Sequence, residues 1–238
     1  MKKFLLAAAL VGLSAVVPLS GAAAAPPSLA GLSARQVLAW SVVAMHSAKS
    51  VTRISHEKVL TQSVTATTSS TWNAGVQHLD LLGRRGEVVF VHGVVYVRLD
   101  AGLVTPEFHS KVAGVANRWV SFTRVSKYYA VFSTGLTLSS LLSKIAPTGV
   151  LTMSRPITLN GVNVVAIAGK VATTNSLVKA SATLFIATTP PFLPVQETIT
   201  ALVSGVTVSA VTMFKNWGSP LEIVAPKVFT PSWRISLP

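Results

Sequence analysis

The chain has 238 residues, with 20 Lys or Arg against 7 Asp or Glu, a net charge of +13 with neutral histidines, and no cysteine. Half of the residues are hydrophobic and 11% are charged, which excludes disorder over most of the length. The absence of cysteine excludes a disulfide framework, thiol chemistry and lipidation at a cleavage-site cysteine, so stability must come from a packed core.

Lys2 and Lys3, the uncharged apolar run Phe4 to Val17 and the small residues Gly21 to Ala25 have the three regions of a secretory signal peptide. The signal is placed over 1–24, with the cut after Ala23 or Ala24. A short flexible tail follows over 25–32, then a single domain over 33–238. The apolar run is short for a membrane span, which needs about 20 residues. The mature chain is therefore expected to be exported, extracellular or in the cell envelope, soluble and without a lipid anchor. Removing Lys2 and Lys3 leaves 18 basic residues against 7 acidic, a net of +11. That excess can steer a protein toward an anionic membrane or wall polymer. The bases are scattered, however, with Arg84-Arg85 the one adjacent pair, which is the pattern of a solvated basic surface. So few carboxylates also predict tolerance of acid, because acid unfolds proteins by protonating carboxylates that the fold has paired.

Ser33 and Gln36 have the spacing of a capping box, and the helix they open is expected to run to about Ala48. Leu38, Val42 and Met45 share one face of it. From Val51 to Asp100 β-branched residues predict strands. Gly83 to Gly86 marks a turn, and His92-Gly93 joins the clearest hairpin, 87–91 with 94–99. Thr105-Pro106-Glu107 reads as a helix start, and Arg118 to Phe122 as a short strand. Thr137 caps a helix in which Leu138, Leu141, Leu142 and Ile145 fall at i, i+3, i+4 and i+7, with Pro147 as its stop. Asn160-Gly161 predicts a type I′ hairpin between 157–159 and 162–167. Strands near 180–188, 194–203, 206–214 and 220–224 complete the set. Short runs and tight connections favour antiparallel pairing. The fold class is α+β: one large twisted antiparallel sheet with a few helices on one face.

The sequence declares no catalytic centre. There is no G-x-S-x-G elbow, and the seven acids are dispersed, which points to surface placement. The five histidines lack zinc-protease or H-x-H spacing, so no metal is expected. No P-loop or G-x-G-x-x-G suggests a nucleotide cofactor. Ser55-His56-Glu57 reads as a solvated strand edge, and the five tryptophans as core or cavity wall. Export and the spread of those tryptophans argue against nucleic acid.

Four segments carry a family likeness: Gly93 to Val97, Asn117 to Val120, Leu136 to Leu142, and the C-terminal run Thr183 to Thr189 followed by Val211 to Pro226. In this order, behind a signal peptide, they resemble actinobacterial envelope lipoproteins of the LppX/LprG type within the LolA-like group, here without the lipobox cysteine. The resemblance implies a half-barrel sheet whose concave face, covered by helices, encloses an apolar cavity. It implies a non-enzymatic, monomeric lipid or glycolipid carrier, with Leu38, Met45, Trp119, Leu138, Leu141, Leu142 and Ile145 on the ligand. The alternative is a non-catalytic envelope module that binds anionic wall polymer or a partner protein through its basic surface.

Overall fold

The capping box at Ser33 forms: its Oγ accepts from Gln36 N, and the Gln36 side chain accepts from Ser33 N. The computed structural model describes residues 28–59, 62–108, 114–171, 179–203 and 205–235; the signal region and His109 lie outside these. Helix α1 (Ala34–Ala48) ends at Lys49 in the left-handed region (φ 64). There the chain enters β1 (Ser50–Val59), β2 (Gln62–Thr71), β3 (Gly75–Leu81), β4 (Arg84–Val91) and β5 (Val94–Leu99). His92 and Gly93 both take positive φ (52 and 75), the pair that a type I′ hairpin between β4 and β5 requires.

Helix α2 (Ala101–Phe108) begins earlier than Thr105-Pro106 suggests, because the Asp100 carboxylate accepts from Leu103 N and caps it. The turn expected over 83–86 is tighter. Leu82 and Gly83 form it, an Asp80 carboxylate oxygen accepts from Gly83 N, and Arg84 and Arg85 already belong to β4. Strand β6 (Val120–Phe122) is followed by α3 (Lys127–Ser133), a helix that its Tyr-Tyr and Phe content conceals. Its cap is Ser126, whose hydroxyl accepts from Tyr128 N. Thr137 caps α4 (Leu138–Ile145) as its sequence predicts.

The chain then builds β7 (Thr148–Met153), β8 (Ile157–Leu159), β9 (Val162–Lys170), β10 (Lys179–Ala187), β11 (Pro194–Val203), β12 (Val206–Lys215) and β13 (Thr230–Pro231). Asn160 (φ 50) and Gly161 (φ 80) make the predicted I′ turn between β8 and β9. Residues 220–224 are not a strand; they cross the sheet as extended cover, with Ile223 and Ala225 packed on Val89, Val91 and Tyr96.

The described strands form one open, curved sheet in the order β13-β6-β5-β4-β3-β2-β1-β12-β11-β10-β9-β7, with β8 also on β9. Every pairing among them is antiparallel except the short one between β13 and β6. The strand period of two sends alternate residues to opposite faces. On one face lie the four helices; the segment after β12 crosses the other. Two cores occupy the helix-bearing face. In the first, α1 and α4 cover Val51, Val165, Ile167, Leu184, Ile186 and Phe214. In the second, α2 and α3 cover Val88, Val95, Val97, Val120 and Phe122. Among the described residues no helix is long and apolar enough to cross a membrane.

Candidate site on the helix-bearing face

Six of the seven residues that the resemblance points to come together. Leu38 and Met45 of α1 and Leu138, Leu141 and Ile145 of α4 are buried in the first core, and Leu142 packs partly buried against it. Full burial of such a side chain contributes about 1.5–3 kcal/mol, so the amphipathic faces hold both helices to the sheet. Trp119 is the exception. It lies on the opposite face beside Tyr96 and Val89, under the Arg98 guanidinium at 4.9 Å. Its neighbour Val120 points to the helix side, so the period of two excludes Trp119 from that layer.

Between the two cores runs a polar seam that the sequence did not announce. Register puts Arg53 opposite Phe214 and Thr68, and Ser55 opposite Thr212 and Ala66; Thr212 in turn faces Glu197. Ser55 and Thr212 share a hydrogen bond of 2.9 Å. Glu197 is 7% exposed, a correction to the expectation that the acids lie at the surface. Burial pushes its carboxyl up to about 7, against the opposing pull of Arg53. Burial likewise lowers the Arg53 guanidinium to about 10, with Glu197 acting the other way. The two influence one another without a direct ion pair. Lys144 of α4 is lowered by its own burial and then by the charge of Arg53. Glu57, further along β1, is raised by burial.

The Arg53 side chain is half-buried, and one of its terminal nitrogens donates to Gly135 O in the α3–α4 link. Its Nε is sealed from solvent and has no hydrogen-bond partner; the same holds for Ser41 Oγ on the buried side of α1. A buried polar group left unpaired costs about 1–3 kcal/mol. The link itself is pressed onto the sheet. Ser70 Oγ donates to Leu136 O at 2.6 Å, and Gly75 lies so close to the Leu136 carbonyl that a Cβ there would collide with it. Ser55-His56-Glu57 therefore sits on a central strand rather than an edge, and its members diverge: Ser55 and Glu57 face the helices, His56 the other side.

The chain resembles known proteins in course more than in sequence. No family model matches it, and no curated protein does. Three solved structures run alongside it. One is an uncharacterized conserved protein from Thermus thermophilus, at 12% identity and a TM-score of 0.43, over 83% of this chain and 97% of that one. The second is the MucA/MucB complex of Pseudomonas aeruginosa, at 17% identity and a TM-score of 0.37, over 76% of this chain and 55% of that one. The third is MucB in complex with MucA(peri), at 15% identity and a TM-score of 0.39, over 82% and 60%.

The opposite face holds a cleft of about 420 Å³ lined by His78, Asp80, Arg85, Glu87, Arg98 and Asp100 among others. Glu87 pairs with Arg98 and lies 3.9 Å from His78, and the Asp100 carboxylate accepts from the backbone N–H of Arg85. A second cleft, of about 780 Å³, opens at the rim between Trp72, Phe90, His92 and Ile223. Among the described residues no group of three or more His, Asp or Glu is placed to hold a metal. Trp233 is 76% exposed, a departure from the expectation that the tryptophans are core.

The Arg53–Glu197 pair is 144 positions apart in sequence, so no spacing rule could join them. The available signal was parity: Arg53 shares its face of β1 with Val51, which is wholly buried.

Proposed function

We propose that this protein is a non-catalytic carrier of an anionic amphiphile in the cell envelope, exported without a lipid anchor and working as a monomer. The acyl chain lies between the sheet and the faces of α1 and α4, and the polar end reaches Arg53 and Lys144. The observation that carries this reading is the unpaired, solvent-sealed Arg53 Nε at the border of an apolar layer, with a second partly desolvated cation, Lys144, near enough to feel its charge. A sealed guanidinium N–H without an acceptor is unfavourable, and an anionic headgroup supplies the missing partner. The chain's affinity comes from burial, roughly 0.8 kcal/mol per CH2, or on the order of 10 kcal/mol for sixteen carbons before ordering costs.

An open curved sheet roofed by helices on one face is also the arrangement that the LppX/LprG-type resemblance implies. Entry of a ligand requires the roof to move, and the Arg53–Gly135 and Ser70–Leu136 hydrogen bonds are what hold its link down. Native mass spectrometry of the mature chain, purified without detergent and then extracted with organic solvent, tests the reading. A bound mass that disappears on extraction and proves to be an anionic lipid or glycolipid supports it. A clean apo mass with no uptake from vesicles removes it and favours the envelope module that binds through its basic exterior.

A further inference from the structure

The outward face of the sheet is not uniform. Over β4–β6 it is covered by residues 223–229 and carries the paired charges of the cleft. From β7 across to β2 no helix or tail among the described residues lies on it. Every outward position described there lacks a carboxylate, because the chain has none between Glu107 and Glu197 and because Glu57 and Glu197 point to the helix side.

Its corner, where β7 and β8 both pair with β9, exposes Val150 (87%), Ile157 (44%) and Val162 (38%). Register puts Ile157 and Val162 on the outward face at the start of β9. Val150, in the register shift of β7, lies toward the other end, where Lys170 is exposed roughly 20 Å along the strand. Arg155 is exposed in the β7–β8 link, nearer Ile157. Lys58 and Lys215 are exposed on the same face further in.

We infer that this corner is a docking surface for an anionic lipid bilayer. Cations free of nearby carboxylates are drawn to anionic headgroups, while exposed apolar side chains along the same margin of the sheet enter the headgroup boundary. A soluble polyanion uses the cations but gives Val150 and Ile157 nothing to contact. The proposal rests on the carrier reading only in that a carrier must meet the membrane that supplies or receives its cargo.

Sedimentation of the full chain with vesicles of phosphatidylcholine alone, and of phosphatidylcholine mixed with phosphatidylglycerol, tests it. Binding is expected to the mixed vesicles and to weaken with salt. The pair Arg155→Glu, Lys170→Glu is expected to lower vesicle affinity by more than about tenfold, since each cation near an anionic surface accounts for about fivefold. The pair Val150→Ser, Ile157→Ser is expected to lower it about tenfold while keeping the salt dependence. All four side chains are exposed, so circular dichroism should report an unchanged fold. No binding to mixed vesicles, or binding that neither pair alters, overturns the proposal, as does full retention by the serine pair, the signature of a polyanion site. Lipid occupancy read by native mass on the same samples separates the two readings. An occupied chain that ignores vesicles defeats docking alone, and an empty chain that docks through this corner defeats the carrier reading alone.

Discussion

The two ends of the sheet are built to different standards. Around β3–β6 both faces are covered, the core is aromatic with Phe122 set against Tyr128 and Phe132 at 5.9 and 5.7 Å, and Glu87 pairs with Arg98 at the surface. From β7 to β1 only one face is covered among the described residues, the core is mainly aliphatic around Phe192 and Phe214, and Arg53, Glu197 and Lys144 share a desolvated seam without an ion pair. The lesson is one of division. The first end is covered on both sides, and the second carries the buried polar groups that have no partner.

Breaking the aromatic end should have the largest effect. Phe122→Ala is expected to cost about 3–5 kcal/mol in a denaturant titration, while folded molecules keep whatever ligand occupancy the parent has. Loss of occupancy in step with the core would show that the two ends are not separable.

The seam should reveal itself through pH. Folded Glu197 titrates near 7 and its ordinary value is 4.5. Below 4.5 the carboxyl is neutral in both states; as pH rises toward 7 the unfolded chain gives up the proton that the fold retains. Stability is therefore expected to fall across that window by about 3 kcal/mol, and Glu197→Gln should flatten the slope. This runs in the same direction as the acid tolerance that the scarcity of carboxylates suggests. Because Arg53 holds the carboxyl down, Arg53→Met should move the upper limit of the window to higher pH. A parent whose stability is level from pH 4.5 to 7 would sink this account of the seam.

A smaller effect is expected at the junction of the two ends. Gly75→Ala drives a methyl against the Leu136 carbonyl and should cost about 1–3 kcal/mol. Faster hydrogen exchange at the start of α4 than at β5 would place that cost in the roof. The smallest change is Ser33→Ala, expected to remove about 1 kcal/mol with the capping box, measurable as a modest fall in the unfolding midpoint. It should leave the aromatic end untouched.

What could be read in the sequence was local. A capping box, a helix with apolar residues at i, i+3, i+4 and i+7, and two hairpin turns each specify themselves within a few residues, and all four form. The short strand after Asn117 was legible, but not the face on which its Trp119 would fall, because a shift of one residue reverses every side chain. The 220–224 run has the composition of a strand and becomes a cover instead, since β12 finds its partners in β1 and β11. Helix α3 was hidden by aromatic residues that suit strands equally well. Arg53, Glu197 and Lys144 were out of reach because their meeting depends on three separate registers and on where α4 lands.

The last strand has a consequence of its own. Thr230 N donates inward to Trp119 O, so the next amide along β13 would face outward, and there the residue is Pro231, which has no N–H to offer. That margin of the sheet is closed to a newcomer, whereas the margin at β7 is bordered by no other described strand. Fibre growth by strand addition needs two receptive margins on every molecule. With one sealed, pairing at the other ends in a dimer and cannot propagate, so a basic, half-apolar chain is kept from becoming a filament.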